Sequence, residues 1–258
     1  MILLLDIGRT KFRLARSLDG ETFGEPEIIP TPITVEEGIK IIVEAAREMN
    51  NPVTTVVIGA SRKVWNGAPL AERVKAELIT VPVYIENDAA LAALGEAVVG
   101  AGRGCQAVAY VTVSTGVGGA KIENGQISQN TFGFEPGQQI ITLDGQEARR
   151  LEDYVSGLAV EKRFGRPPHG LTDDKIWQDL SHYLAIGLTN TLLHWSPDCL
   201  VLGGSMFQDP GFKIATLESL IRRDLTIFPQ LPLIKQATLG ETSALHGALV
   251  YLKSLSRN

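Results

Sequence analysis

Two glycine-containing turns and an Asn-Asp pair are the parts of this sequence best suited to chemistry. Leu5-Asp6-Ile7-Gly8-Arg9-Thr10-Lys11 and Val113-Ser114-Thr115-Gly116-Val117-Gly118-Gly119 each read as a strand running into a tight turn with glycine and threonine. Such a turn aims backbone N–H groups and a hydroxyl at one place, which suits a phosphate. Between them, Glu86-Asn87-Asp88-Ala89-Ala90 offers the Asp88 carboxylate as a general base. Further on, Leu200-Val201-Leu202-Gly203-Gly204 is an apolar strand ending at paired glycines. The combination argues for ATP-dependent phosphoryl transfer to a small hydroxyl compound. Each residue also has a plainer use: Asp6 closing a turn, Asp88 capping a helix, the glycines forming a hairpin.

The elements that must hold these residues follow from hydrophobic period and turn chemistry. Strands are expected at residues 1–6, 11–17, 22–29, 54–59 and 83–85, with Asp19-Gly20 as a hairpin turn and helices at 34–50 and 69–78. Asp88 opens a helix of small residues, which allows close packing on a neighbour. Strands are then expected at 107–113, 119–122, 126–127, 199–202 and 233–238, with Asn124-Gly125 as a turn. Residues 133–145 read as loop, and helices are expected at 150–162, 172–195, 214–223 and 242–252. Two strand-turn-strand units, each followed by helices, repeat without a tandem sequence period.

A chain of 258 residues is comfortable for two domains, and 44% hydrophobic with 21% charged residues is the balance of a globular enzyme. A net charge of −5 leaves no electrostatic footprint for nucleic acid or an acidic membrane. No stretch approaches a membrane span, and the N-terminal apolar run lacks the features of a signal peptide, so a cytoplasmic protein is expected. Cys105 and Cys199 are expected as buried free thiols, and the four histidines have no ligand spacing.

The stretches at 5–11, 82–89, 113–119 and 196–204, with Glu152-Asp153-Tyr154-Val155-Ser156-Gly157, together resemble the ROK family of repressors and sugar kinases, within the actin-like ATPase superfamily. The resemblance covers nearly the whole chain, with the motifs in order. It implies an α/β, ribonuclease H-like fold of two duplicated lobes with a cleft between them, 1–104 plus 241–258 forming one and 105–240 the other. It implies Mg²⁺ and ATP, with Asp6 on the metal, directly or through water. Gly8, Arg9, Thr10, Lys11, Thr115, Gly116 and Gly118 would lie at the phosphates, and Gly203 and Gly204 at the adenosine. Asp88 would be the base, and Asn87, Glu135, Gln138 and Glu152 would contact a sugar. A homodimer follows by family analogy.

The departures narrow this further. Arg9 stands where the family has glycine, and Ala90 where it often has a second asparagine. Gln138 replaces a zinc- and sugar-binding histidine, and residues 143–150 contain no cysteine, so no structural zinc is expected. The Pro-Gly-Pro loop after the strand at 54–59 is replaced by Ser61-Arg62-Lys63-Val64-Trp65-Asn66, in which Ser61, Arg62 and Asn66 are the polar groups at hand for a rebuilt pocket and Arg62 and Lys63 would suit an anionic sugar. No helix-turn-helix segment precedes the first strand, so nucleic acid is not an expected partner. The expected activity is a sugar or sugar-derivative kinase. A catalytically degenerate sugar- or nucleotide-binding protein and a kinase for a pantothenate-like acid are the alternatives.

Overall fold

The structure is a computed structural model; it describes residues 1–47, 52–61 and 64–255, and only the backbone at 66 and 67. The chain divides into two compact units, Met1–Gly95 with Thr242–Asn258, and Glu96–Glu241.

The first unit contains β1 (Ile2–Ile7), β2 (Lys11–Ser17), β3 (Glu27–Pro30), α1 (Val35–Ala46), β4 (Thr55–Ala60), α2 (Leu70–Glu77), β5 (Val83–Glu86) and the start of α3 (Asp88–Val98). The second contains β6 (Ala107–Val113), β7 (Val117–Glu123), β8 (Gln126–Ile127), β9 (Ile140–Asp144), β10 (Glu147–Arg150), α4 (Glu152–Val155), α5 (Gly157–Phe164), α6 (Asp174–Trp195), β11 (Cys199–Gly203), α7 (Ile214–Asp224) and β12 (Leu233–Gln236). The chain then returns to the first unit as α8 (Ser243–Leu255).

The main sheets share one plan. The first is ordered β3-β2-β1-β4-β5 and the second, read from its other edge, β8-β7-β6-β11-β12. In each, an antiparallel ladder of consecutive strands is extended by two strands parallel to the first strand of that ladder. The first sheet buries Leu3, Leu5, Ile7, Phe12, Leu14, Val56 and Ile58 against Ile39, Ile42 and Val43 of α1 and Val74 of α2. Its opposite face packs Leu4, Ala15 and Val57 against Leu91 of α3 and Ala244, Leu245, Ala248 and Leu249 of α8. In the second unit, Ala109, Val111, Val113, Leu200 and Leu202 share a core with Leu184 and Leu188 of α6 and Leu217 and Ile221 of α7.

The small residues of α3 and α8 meet each other. A β-carbon on Gly95 would lie 2.3 Å from the Ser243 carbonyl oxygen, and one on Gly247 would lie 1.8 Å from that of Leu91, so these backbones touch where any side chain would part them. The next residue, Glu96, is fully buried, and its carboxylate accepts N–H groups from Ala101 (2.9 Å), Thr238 (3.1 Å) and Leu239 (2.8 Å). A buried carboxylate is tolerable only with such donors.

Most expected elements are present with shifted ends; residues 48–50 of the expected first helix lie outside the described residues. Two regions differ in kind. The expected loop at 133–145 contains β9, which pairs with β10 around Gly145, whose φ of +61° suits an Asp-Gly turn. The expected helix at 150–162 breaks between α4 and α5. There the Gly157 N–H is donated to Ser114 O at 2.7 Å, and the Ser156 hydroxyl caps α5 by accepting the Ala159 N–H. The strand expected at 22–29 shrinks to β3; at its expected start the Asp19 carboxylate accepts the Glu21 and Thr22 N–H groups and holds residues 19–22 in a turn. None of the described helices is long and apolar enough to cross a membrane.

Both cysteines are free; Cys199 is buried as expected, whereas Cys105 is half-buried. Burial, with Cys105 alongside, pushes the Cys199 thiol up to about 12. The thiolate of Cys199 is thereby suppressed, and the side chain is buried, so iodoacetamide at pH 8 should label the native protein at Cys105 and spare Cys199, as peptide mass spectrometry would read. Equal labelling would contradict this environment. Glu96→Ala strands the three N–H donors and should cost about 3 kcal/mol or more in urea unfolding, with Glu96→Gln, which keeps one acceptor oxygen, costing less.

Candidate functional site

Three parallel strands of the first unit end side by side, where the expected metal ligand Asp6 lies and from which the chain leads to the expected base Asp88. Asp6 of β1 is in register with Gly59 of β4, which is in register with Glu86 of β5. Glu86 leads into Asn87 and then Asp88 at the first turn of α3. Gly59 makes this convergence possible: a β-carbon there would lie 3.1 Å from a Leu91 methyl and 3.5 Å from the Asp88 Cα. The start of α3 therefore rests on the same sheet face as Asp6. Asn87 is the cap, its side-chain oxygen accepting the Ala90 N–H at 3.0 Å, while Asp88 Oδ1 accepts the adjacent Ala89 N–H at 2.9 Å. The capping role that Asp88 could have had thus falls on Asn87. Burial raises the Tyr251 phenol of α8 above its ordinary value, and the charge of nearby Glu86 adds to this.

The turn between β1 and β2 is closed by the Gly8 N–H, donated to Lys11 O at 3.0 Å. That donor is spent inside the hairpin, so Gly8 serves the turn by its small size. Thr31 fixes the same turn from outside: its hydroxyl donates to Gly8 O at 2.7 Å and its N–H to Thr10 O at 3.2 Å. Arg9, Thr10 and Lys11 are exposed. Ser61 follows β4, with its N–H donated to Ile7 O at 3.3 Å, and Trp65 packs against Gly38 of α1 while donating to Pro32 O. Arg62, Lys63 and the Asn66 side chain, raised above as substrate contacts, lie outside the described residues.

The second unit repeats the device. The turn from β6 to β7 is closed by the Ser114 N–H, donated to Gly116 O at 2.8 Å. Glu152 sits against it, its Oε2 accepting the Val117 N–H at 3.0 Å, and a β-carbon on Gly116 would lie 3.0 Å from that oxygen. Residues Glu135 to Gln138 press onto β7, where a β-carbon on Gly137 would lie 2.5 Å from Val117 O. Glu135 and Gln138 themselves are exposed. Gly203 ends β11, and Gly204 has φ +98° with room for a β-carbon denied by Val113 O at 2.2 Å. The glycine pair is thus required by the end of β6, next to the Thr115 turn. Thr115, Gly116, Gly118, Glu135, Gln138, Glu152, Gly203 and Gly204 belong to the second unit; Asp6, Gly8, Arg9, Thr10, Lys11, Asn87 and Asp88 belong to the first.

One residue of this region was not singled out from the sequence. Arg13 of β2 stands opposite Asp6, and its guanidinium Nη1 donates to Asp6 Oδ2 at 2.9 Å. The signal was present: an arginine inside the strand paired with β1, at an inward position of a hairpin whose register the turn fixes.

Two α/β units with sheets of one plan, each bearing a glycine turn between its first two strands, define the actin-like ATPase architecture. The chain belongs to the ROK family, whose model matches residues 2–254. Among curated relatives, a fructokinase of Lactococcus lactis subsp. cremoris is 29% identical over 199 residues, which is 68% of this chain and 67% of that protein. A xylose repressor of Bacillus subtilis (strain 168) is 28% identical over 176 residues, 60% of this chain and 46% of the repressor. Among solved structures, a ROK hexokinase from Thermus thermophilus superposes with a TM-score of 0.78 at 26% identity, covering 99% of each chain.

Gly59 is the position on which this geometry can be tested. Gly59→Val places two methyl groups against Leu91 and the start of α3, and should cost about 2–3 kcal/mol in chemical denaturation, against about 1 kcal/mol for Gly59→Ala. A neutral Gly59→Val would show that α3 does not need this close approach.

Proposed function

We propose that the protein transfers the γ-phosphoryl group of ATP to a hydroxyl of a sugar or sugar derivative. The observation that carries this reading is the gathering of Asp6 and Asp88 on one sheet face at the ends of β1 and β4, with Gly59 letting α3 begin there. Asp88 takes the proton of the attacking hydroxyl. The new bond joins that oxygen to phosphorus, the bond to the β-phosphate oxygen breaks, and ADP leaves. Gly8, Arg9, Thr10 and Lys11 on the first turn, and Thr115, Gly116 and Gly118 on the second, are the phosphate contacts of this reading, with Gly203 and Gly204 toward the adenosine. Asn87, Glu135, Gln138 and Glu152 are its sugar contacts; fixed acceptors and amides are what a polyol requires for discrimination. The fructokinase and hexokinase relatives support the carbohydrate class.

A magnesium ion fits this donor set. Among the described residues no group of three or more His, Cys, Asp or Glu side chains is arranged to hold a metal, and Mg²⁺ bound with a nucleotide takes most ligands from phosphate and water, so one carboxylate suffices. Asp6 would hold it, and the ion would neutralise phosphate charge when bound.

A second reading, a ROK protein that binds sugar or nucleotide without turnover, draws on Arg9 in the first turn and on the xylose repressor among the relatives. ADP release from Mg-ATP against hexoses, N-acetylhexosamines and acid sugars separates the two. Acceptor-dependent release is expected, falling by about a thousandfold in Asp88→Ala while nucleotide binding persists. Full activity in Asp88→Ala would sink the mechanism, and bound ATP without turnover on any acceptor would favour the second reading. We further propose a homodimer by family analogy; sedimentation velocity showing only a 27.9 kDa species would retire it.

A further inference from the structure

The Arg13–Asp6 pair changes the charge that a nucleotide would meet. Strand alternation places Leu4 and Asp6 of β1, and Lys11, Arg13 and Ala15 of β2, on the sheet face that α3 and α8 cover. Asp6 and Arg13 are largely withdrawn from water, their side chains 10% and 13% exposed. The same strand ends carry the carboxylates of Glu86 and Asp88. An isolated Asp6 there would repel a polyphosphate until a divalent cation lay between them. With Arg13 2.9 Å away, the pair is neutral, and Arg9 and Lys11 on the adjoining turn add exposed positive charge. Screening by water is weak for so enclosed a pair, and a guanidinium keeps its charge at any working pH.

We propose that Arg13 is a specificity-determining residue of the phosphate site, which neutralises Asp6 so that nucleotide phosphates bind with little dependence on a divalent cation. The proposal rests on the kinase reading above, since it takes the first turn as a phosphate site. It concerns binding, and leaves the metal its part in the transfer step.

The test is the dissociation constant of ADP and ATP for the full chain by titration calorimetry, in excess Mg²⁺ and in EDTA. For the unaltered protein the two values should lie within about fivefold of each other. In Arg13→Met the EDTA value should weaken by about tenfold or more while the Mg²⁺ value moves little, and Arg13→Lys should recover part of the difference. Asp6→Asn gives an independent arm should Arg13→Met not fold: with Arg13 left uncompensated, metal-free binding should tighten several-fold. The proposal is overturned by a strong Mg²⁺ requirement in the unaltered protein, or by variants whose metal-free affinities match it. Failure of the unaltered protein to bind either nucleotide in both buffers would overturn the kinase reading, and this proposal with it.

Discussion

The buried carboxylate of Glu96 is the constraint around which the chain's path is organised. It follows Gly95, whose missing side chain lets α3 touch the backbone of α8, and it belongs to the other unit. Its three backbone donors come from Ala101, just past α3, and from Thr238 and Leu239, just before the chain returns as α8. One helix therefore serves both units with adjacent residues. Gly95 serves by having no side chain, and Glu96 by having a charge that needs such donors at that depth. The opposite end of the same helix carries Asn87 and Asp88, so what fixes α3 also fixes the proposed base.

Glycines at the proposed site do two kinds of work that sequence does not separate. Gly8 closes a hairpin, Gly204 fits against Val113 O, and Gly59 makes way for the first turn of α3. Each serves the backbone path whether or not a nucleotide ever binds. Fold and chemistry are joined here through steric permission, with the polar groups Asp6, Asp88, Thr115 and Glu152 set at the margins of the glycine contacts.

The parts legible in the sequence were those whose signal is local. Turn residues gave both glycine hairpins and the Asn-Gly hairpin, period gave the long α6, and runs of small residues marked α3 and α8 as closely packed. The ordered motifs gave the family. What escaped depends on pairings that no single stretch of sequence displays. The break between α4 and α5 follows from Ser114 accepting the Gly157 N–H, a partner far away along the chain. The β9–β10 hairpin was hidden because its strands are largely exposed and so show little hydrophobic alternation, leaving Asp144-Gly145 as its local mark. Arg13 was hidden for another reason: its meaning lies in register, and only when β1 and β2 are paired does it stand opposite Asp6.

The return of α8 to the first unit also bears on how the protein is made. Residues 96–241 are contiguous, so the second unit can complete its sheet and core as soon as it has been synthesised. The first unit cannot, because the face bearing Leu4, Ala15 and Val57, covered in part by Leu91 of α3, also waits for Ala244, Leu245, Ala248 and Leu249. On a ribosome part of that apolar sheet face would thus stay open through the translation of the whole second unit. That interval is when a chaperone would have most to hold, and when a stalled or truncated chain would be most prone to aggregate.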